Sequence, residues 1–285
     1  MTHELRNPFK DARPSPETPT DEQVVGGVLG AEAVRAMREL RGSTGRATGA
    51  EESTDIDVVD IKLTQAEQLA AREVEDGPRQ EMIDWARTFG KDEEWVDEEF
   101  TFHADGTIES TKKDLDLRFL GVASIPKILH HVEGLEDLYL HGNKLTTIEN
   151  LPEGLRRAFL NDNAISKLEN LPPSLEWLDI TGNNISTIEN LPAGLQTLYL
   201  DENNVSRLEN FPKGLRKLSL ADMNLPRLEN LPDGLETLWL NRSTLSDTDG
   251  LPAPGKIGSI IFSKGQHVLA ERFRALGHTV HVGTL

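Results

Sequence analysis

Apolar residues follow two different rhythms along this chain. From residue 135 onward they recur every 20 positions: Leu135, Leu155, Leu175, Leu195, Leu215 and Leu235 form one column, and Pro152, Pro172, Pro192, Pro212, Pro232 and Pro252 another. Inside a unit they alternate with polar residues, as in Trp177-Leu178-Asp179-Ile180. Alternation predicts a short strand with Leu178 and Ile180 on one face and Trp177 and Asp179 on the other. Twenty residues leave no room for a helix on the way back. The recurring Asn-Leu-Pro phrase, with Phe211 replacing Leu once, predicts an extended or polyproline-like return, because proline fixes φ and disfavours helix before it.

Before residue 110 the rhythm is helical. Thr64 and Glu67 make a capping box for a helix stopping before Gly77, and Pro78 opens another. Met82, Trp85, Ala86 and Phe89 then recur at helical spacing. Phe100-Thr101-Phe102 and Thr107-Ile108-Glu109 flank Ala104-Asp105-Gly106, a hairpin signal. After the repeats, Ile257, Ile260 and Phe262 keep the strand spacing, 268–276 reads as a helix and 278–282 as a last strand.

One full unit, Leu175 to Gly194, carries the pattern LxxLxLxxNxLxxL of a leucine-rich repeat, with Ile at three of the Leu positions. A weaker unit at Leu115–Val122 aligns with Leu138–Leu145 at an offset of 23. The fold class that follows is α/β. It is a leucine-rich repeat solenoid of about seven to eight units, with a curved parallel β-sheet on the concave face and an extended or polyproline-like convex side. The expected organisation is an acidic N-terminal region (1–63), disordered apart from a helix at 31–41; a helical and hairpin cap (64–111); leucine-rich repeats (112–262); and a C-terminal cap (263–285).

Asn143, Asn163, Asn183 and Asn203 follow the strands and are expected to form a buried structural ladder, since a buried amide must be hydrogen-bonded. Met223 and Ser243 interrupt that column, where looser packing is expected, and Ala158 underfills a core leucine position. Asn150, Asn170, Asn190, Asn210 and Asn230 form a second column that should pair turn backbone. Glu149, Glu169, Glu189, Glu209 and Glu229 form a third, read either as a solvated edge or as a site for cations or a basic partner.

The unit LPxGLxxLxLxxNxIxxL resembles the bacterial LPX-type repeats of secreted effectors, the YopM and IpaH class. The phrase Leu168-Glu169-Asn170-Leu171 also resembles repeats of protein-phosphatase regulatory subunits. The effector resemblance covers about 112–262 and implies a ligase-free binding scaffold. The ligases of that class use a catalytic cysteine, and this chain has none.

Composition narrows the picture. Zero cysteine among 285 residues excludes disulfides, thiolate metal sites and cysteine nucleophiles. The net charge of −18 argues against nucleic acid or an anionic membrane as partner. Residues 1–110 carry 26 acidic and 12 basic side chains, leaving only −4 for the remainder. No apolar run fits a signal peptide or a membrane span, so a cytoplasmic protein, or one exported without a cleaved signal, is expected.

Candidate chemistry lies beside the inward leucines, on the face that points away from the core. Asp137, Arg157, Trp177, Thr197, Lys217 and Thr237 form one column; Tyr139, Phe159, Asp179, Tyr199, Ser219 and Trp239 a second; His141, Asn161, Thr181, Asp201, Ala221 and Asn241 a third. Aromatics that do not face the core are either interface anchors or cross-strand stacking pairs. The partner-binding set read from these columns is Tyr139, Phe159, Trp177, Asp179, Tyr199, Asp201, Lys217 and Trp239.

Catalytic motifs are missing: there is no Walker loop, GxSxG, HExxH or GxGxxG. His130 and His131 are adjacent and would not face one site from a strand, and His278 with His281 reads as surface rather than metal-binding. Three glycosylation sequons, as in Asn184-Ile185-Ser186, are by-products of the repeat. No cofactor, metal or catalytic residue is therefore expected. The reading is a non-catalytic, monomeric module that binds a protein partner through its concave face, in the form of a bacterial secreted effector. The alternatives are an internal bacterial scaffold, or an enzyme with its site in residues 64–130.

Overall fold

The computed structural model describes residues 77–225, 227–245 and 253–283. Everything expected of 1–63, and of the helix opening at Thr64, lies outside the described residues. Residues 77–87 are helical (α1), followed by α2 (Glu93–Glu99), β1 (Phe100–Phe102), β2 (Ile108–Ser110), β3 (Asp114–Asp116) and β4 (Val132–Glu133). The repeat strands are β5 (Asp137–Tyr139), β6 (Arg157–Phe159), β7 (Trp177–Asp179), β8 (Thr197–Tyr199), β9 (Lys217–Ser219) and β11 (Leu235–Trp239). Short β10 (Asn224–Leu225) pairs with β12 (Thr244–Leu245), and β13 (Ile257–Ser263), α3 (His267–Ala275) and β14 (Val280–Gly283) close the end.

Helical spacing in α1 buries Met82, Ile83, Trp85 and Ala86, and Asp92 caps α2 by accepting from the Trp95 N–H at 3.1 Å. Edge-on aromatic contacts bind these pieces: Trp85–Phe89 at 4.9 Å, Phe89–Trp95 at 5.8 Å and Trp95–Phe100 at 6.2 Å. Trp85 Nε1 donates to the Ser124 carbonyl at 2.8 Å, tying this cap to the first repeat. β1 and β2 form an antiparallel hairpin, and β2 pairs in parallel with β4.

Alternation in each repeat gives one parallel sheet of nine strands, in the order β14-β13-β11-β9-β8-β7-β6-β5-β3. Its register follows the 20-residue period, with Leu138, Ala158, Leu178, Leu198, Leu218 and Leu238 side by side and all fully buried. Among the described residues no helix lies on the return paths between residues 140 and 216. Each return ends in a tight turn, as where the Leu175 N–H donates to the Pro172 carbonyl at 3.1 Å. This architecture is a leucine-rich repeat solenoid. Deleting one of its core leucines should cost about 2–5 kcal/mol.

Both asparagine columns are structural. Asn183 Nδ2 donates to the Leu160 and Ile180 carbonyls at 3.0 Å, while its Oδ1 accepts from the Ile165 N–H at 2.9 Å. Asn143, Asn163 and Asn203 make the same bonds one unit apart. Asn150, Asn170, Asn190, Asn210 and Asn230 all sit at φ between 55° and 60°. That left-handed conformation favours asparagine among residues with side chains, and each amide donates to a carbonyl of the preceding unit.

The two residues that interrupt the ladder stay buried. Met223 is 2% and Ser243 3% exposed. Ser243 Oγ donates to the Leu220 carbonyl and accepts from the Met223 N–H, so it replaces part of an amide. One unit further, Gln266 Nε2 donates to the Leu240 and Ser243 carbonyls at 3.0 and 2.8 Å, and its Oε1 accepts from the Arg242 N–H. The C-terminal cap thus supplies the missing amide from outside the repeat.

Candidate functional site

Register places each column of polar and aromatic residues where the alternation expected it. Tyr139, Phe159, Asp179, Tyr199, Ser219 and Trp239 lie in line across β5 to β11. Asp137, Arg157, Trp177, Thr197, Lys217 and Thr237 form the neighbouring line.

Five rings form a continuous row along this face. Tyr139 and Phe159 stack at 4.6 Å with planes 7° apart, Phe159 meets Trp177 at 6.3 Å, and Trp177 meets Tyr199 at 5.4 Å. Tyr199 and Trp239 stand two strands apart yet approach to 5.9 Å. They lean together over Ser219, whose small side chain is buried between their strands at 3% exposure. All five rings are half-buried. Stacking and exposure therefore coexist: each ring supports its neighbour and leaves part of itself open. The Trp177 Nε1–H is covered and has no acceptor among the described residues.

Charge divides the row. At the N-terminal end Arg157 forms a bidentate pair with Asp137, which is only 7% exposed. Arg118 grips Asp116 through Nε and Nη2 at 2.8 and 2.5 Å and lies 5.9 Å from the Tyr139 ring centre. Arg118 hydrogen bonding holds the Asp116 carboxyl below the usual aspartate range. From the middle of the row onward, Asp179 accepts from the Thr181 N–H at 3.0 Å, and Asp201 from the Ala221 N–H at 2.7 Å. Neither has a cation within 4 Å among the described residues. Burial pushes the Asp201 carboxyl up, against the hydrogen bonds from Ser219 and Ala221. Burial also pushes the Tyr199 hydroxyl up, helped by the charges of Asp179 and Asp201. Lys217, one column away, is half-buried and likewise has no ion-pair partner within 4 Å among the described residues.

Two members of this face were missed by the sequence reading. Arg118 belongs to the weak first unit; the offset of 23 sets it against His141, but the columns of candidate residues begin only at Asp137, Tyr139 and His141. Phe119 is 71% exposed and holds φ at 58°, the left-handed position that Gly142 and Gly182 occupy in later units. Its ring lies over Gly142, where a Cβ would meet it at 2.2 Å, and meets His141 edge-on at 5.1 Å.

The histidines behave differently from expectation. His130 and His131 lie on a 3-10 helix, Lys127–His131, not a strand, and that tighter winding brings their rings together at 5.2 Å. His278 is buried at 7%, against Phe273, rather than on the surface; burial lowers its pKa. Among the described residues no three His, Asp or Glu side chains converge to hold a metal ion. Glu149, Glu169, Glu189 and Glu209 are exposed and Glu229 is half-buried; Lys167 lies 3.6 Å from Glu169.

No protein-family model matches the chain, and no curated protein matches it. Among solved structures it is similar to the leucine-rich-repeat domain of a Shigella effector, with 22% identity over 60% of this chain and 81% of that one, at a TM-score of 0.49. It is also similar to YopM of Yersinia enterocolitica, with 29% identity over 53% of this chain and 34% of that one, at a TM-score of 0.43. A leucine-rich-repeat protein of Leptospira interrogans gives 24% identity over 60% of this chain and 54% of that one, at a TM-score of 0.39. The match thus spans about a third of the Yersinia protein and about half of the Leptospira protein.

Proposed function

We propose that this protein is a non-catalytic interaction module that binds a protein partner through the concave face of its repeats. One observation carries the reading. Five half-buried aromatic rings form a continuous row on the face opposite the leucine core, where packing of that core does not require them. Rigid aromatics at the centre of a face are the usual anchors of protein interfaces, and each supplies large contact area at low entropy cost. Export without a cleaved signal, as a bacterial effector, is part of the same proposal. Recovery of an epitope-tagged full chain from culture medium, dependent on an intact secretion apparatus, tests that part.

The binding claim is tested by replacing Tyr139, Tyr199 and Trp239 together by alanine. Proteins captured by the wild-type chain should be lost, while the cooperative unfolding transition remains. A folded triple variant that still recovers the same partners overturns the concave-face reading.

A further inference from the structure

The N-terminal edge and the middle of the concave face contain the same pair of residues in the same geometry, differing at one position. Asp116 faces Tyr139 across β3 and β5, and Asp179 faces Tyr199 across β7 and β8, each in direct register. In both, the carboxylate is fixed by the backbone N–H two residues on, from Arg118 at 3.1 Å and from Thr181 at 3.0 Å. At the first pair that residue also supplies a guanidinium, which forks onto Asp116 and lies 5.9 Å from the Tyr139 ring centre. At the second pair the residue is Thr181, and no cation of the described chain takes the place.

We infer that the Asp179–Tyr199 pair receives an arginine side chain of the partner protein, with its guanidinium over the Tyr199 ring and forked onto Asp179, and Asp201 beside it. The inference rests on the concave-face reading and adds the chemistry of what binds there. The protein's own Arg118 shows that an arginine fits a carboxylate and a tyrosine in this register. Trp177 and Trp239, at 5.4 and 5.9 Å on either side of Tyr199, extend the flat surface a guanidinium stacks on. Asp179 and Asp201 make the site attractive to a cation and repulsive to an anion. Arginine is favoured over lysine because its planar fork matches a carboxylate while stacking on a ring, and an ammonium does only one of these well.

The test uses the full chain and the capped tripeptide Gly-Arg-Gly, with Gly-Lys-Gly and Gly-citrulline-Gly as comparisons. Indole N–H resonances of Trp177 and Trp239, assigned by Trp→Phe variants, report on the site; those of Trp85 and Trp95 report that the fold is intact. The arginine peptide should shift the Trp177 and Trp239 signals saturably, the lysine peptide more weakly, and the citrulline peptide not at all. Asp179→Asn should weaken the response about tenfold or more, the range for a charge-assisted hydrogen bond. Thr181→Arg should abolish it by supplying the guanidinium internally, and Arg118→Thr should create an arginine response at the aromatic ring of Tyr139. A citrulline response equal to that of arginine, or one unaltered by both Asp179→Asn and Thr181→Arg, overturns the inference. Loss of partners by the triple alanine variant with no arginine response would sink this inference and leave the concave-face reading standing. An arginine response with partners retained by the triple alanine variant would overturn the concave-face reading and, with it, the docking of a partner's arginine at this pair.

Discussion

The N-terminal and C-terminal halves of the concave face use the same architecture to opposite electrostatic ends. In the first half Asp116 and Asp137 each hold an arginine of the chain, and Tyr139 and Phe159 stack almost parallel. In the second, which starts at the central strand β7, Asp179 and Asp201 accept only from backbone N–H groups and Ser219, and Trp177 and Tyr199 meet at a 36° tilt. The first half is complete in itself; the second has acceptor capacity and ring surface to spare. A repeat can therefore keep its fold while single outward positions decide whether a unit closes on itself or stays open. The leucines that build the unit point the other way, so the choice costs the core nothing.

The halves differ beneath the face as well, and there the largest effect is expected. Asn183→Ala strips the Leu160 and Ile180 carbonyls and the Ile165 N–H of their partner at once. With about 1–3 kcal/mol for each buried polar group left unpaired, partly relieved by relaxation, the variant should lose about 3 kcal/mol. Ser243→Ala, at the interrupted end of the column, removes fewer bonds and should lose only about 1 kcal/mol. Urea unfolding of both variants checks the ranking. Equal losses would mean that the amide column is not what distinguishes the middle of the solenoid from its end.

Acidity separates the halves by sign. Burial holds the Asp201 carboxyl above its ordinary value, so the folded chain binds that proton more tightly than the unfolded chain. Its ionised form is a penalty at neutral pH. As pH falls from the raised value toward the ordinary aspartate value of about 3.9, the penalty is relieved. Asp116 works the other way, because Arg118 holds its carboxyl below the ordinary value. Its contribution is present above about pH 3.9 and is lost as pH falls through the depressed value. Asp201→Asn should therefore be stabilising at neutral pH, with its advantage fading first on acidification. Asp116→Asn should be mildly destabilising, with its deficit fading only at lower pH, and reduced by salt because the pair is half-exposed. Urea unfolding between pH 7 and 3 reads both; slopes of one sign for the two variants would contradict the contrast.

What was legible in the sequence is what the 20-residue period dictates. Leu138 and its successors face inward because a strand alternates, and Asn143 to Asn203 lie buried because each follows its strand by a fixed count. The same count brought Tyr139, Phe159, Trp177, Asp179, Tyr199, Asp201, Lys217 and Trp239 onto one face. What escaped lies where the period slips or where another part of the chain intervenes. Arg118 and Phe119 belong to a first unit of 23 residues; the offset aligned them with His141 and Gly142, but their side-chain contacts with Tyr139 and Gly142 depend on conformations that alignment does not give. Gln266 completes the amide column from a cap that carries no repeat. His278 is buried by Phe273, a contact that spacing along the chain does not reveal. The ring contact of Tyr199 with Trp239 was hidden because they are two strands apart; only the small side chain of Ser219 allows it.

Phe119 offers the smallest change in stability and the finest cut between the halves. A phenylalanine at positive φ carries a cost of about 1–2 kcal/mol that glycine does not. Against this, Phe119→Gly adds unfolded-chain freedom worth about 0.5–1 kcal/mol and removes the ring from Gly142 and His141. The terms oppose each other, so the net change should stay within about 1 kcal/mol. At the other end Arg242 occupies the same left-handed position, with φ at 57°, and pairs with Asp222. Arg242→Gly gains the same relief and loses a solvent-screened ion pair that contributes little, so it too should be nearly neutral. With stability matched, partner capture compares the two ends directly. Capture weakened by Phe119→Gly but not by Arg242→Gly would extend the binding surface over the closed half. Capture unchanged by Phe119→Gly but lost with Trp239→Ala would confine binding to the open half, where carboxylates and rings are left over.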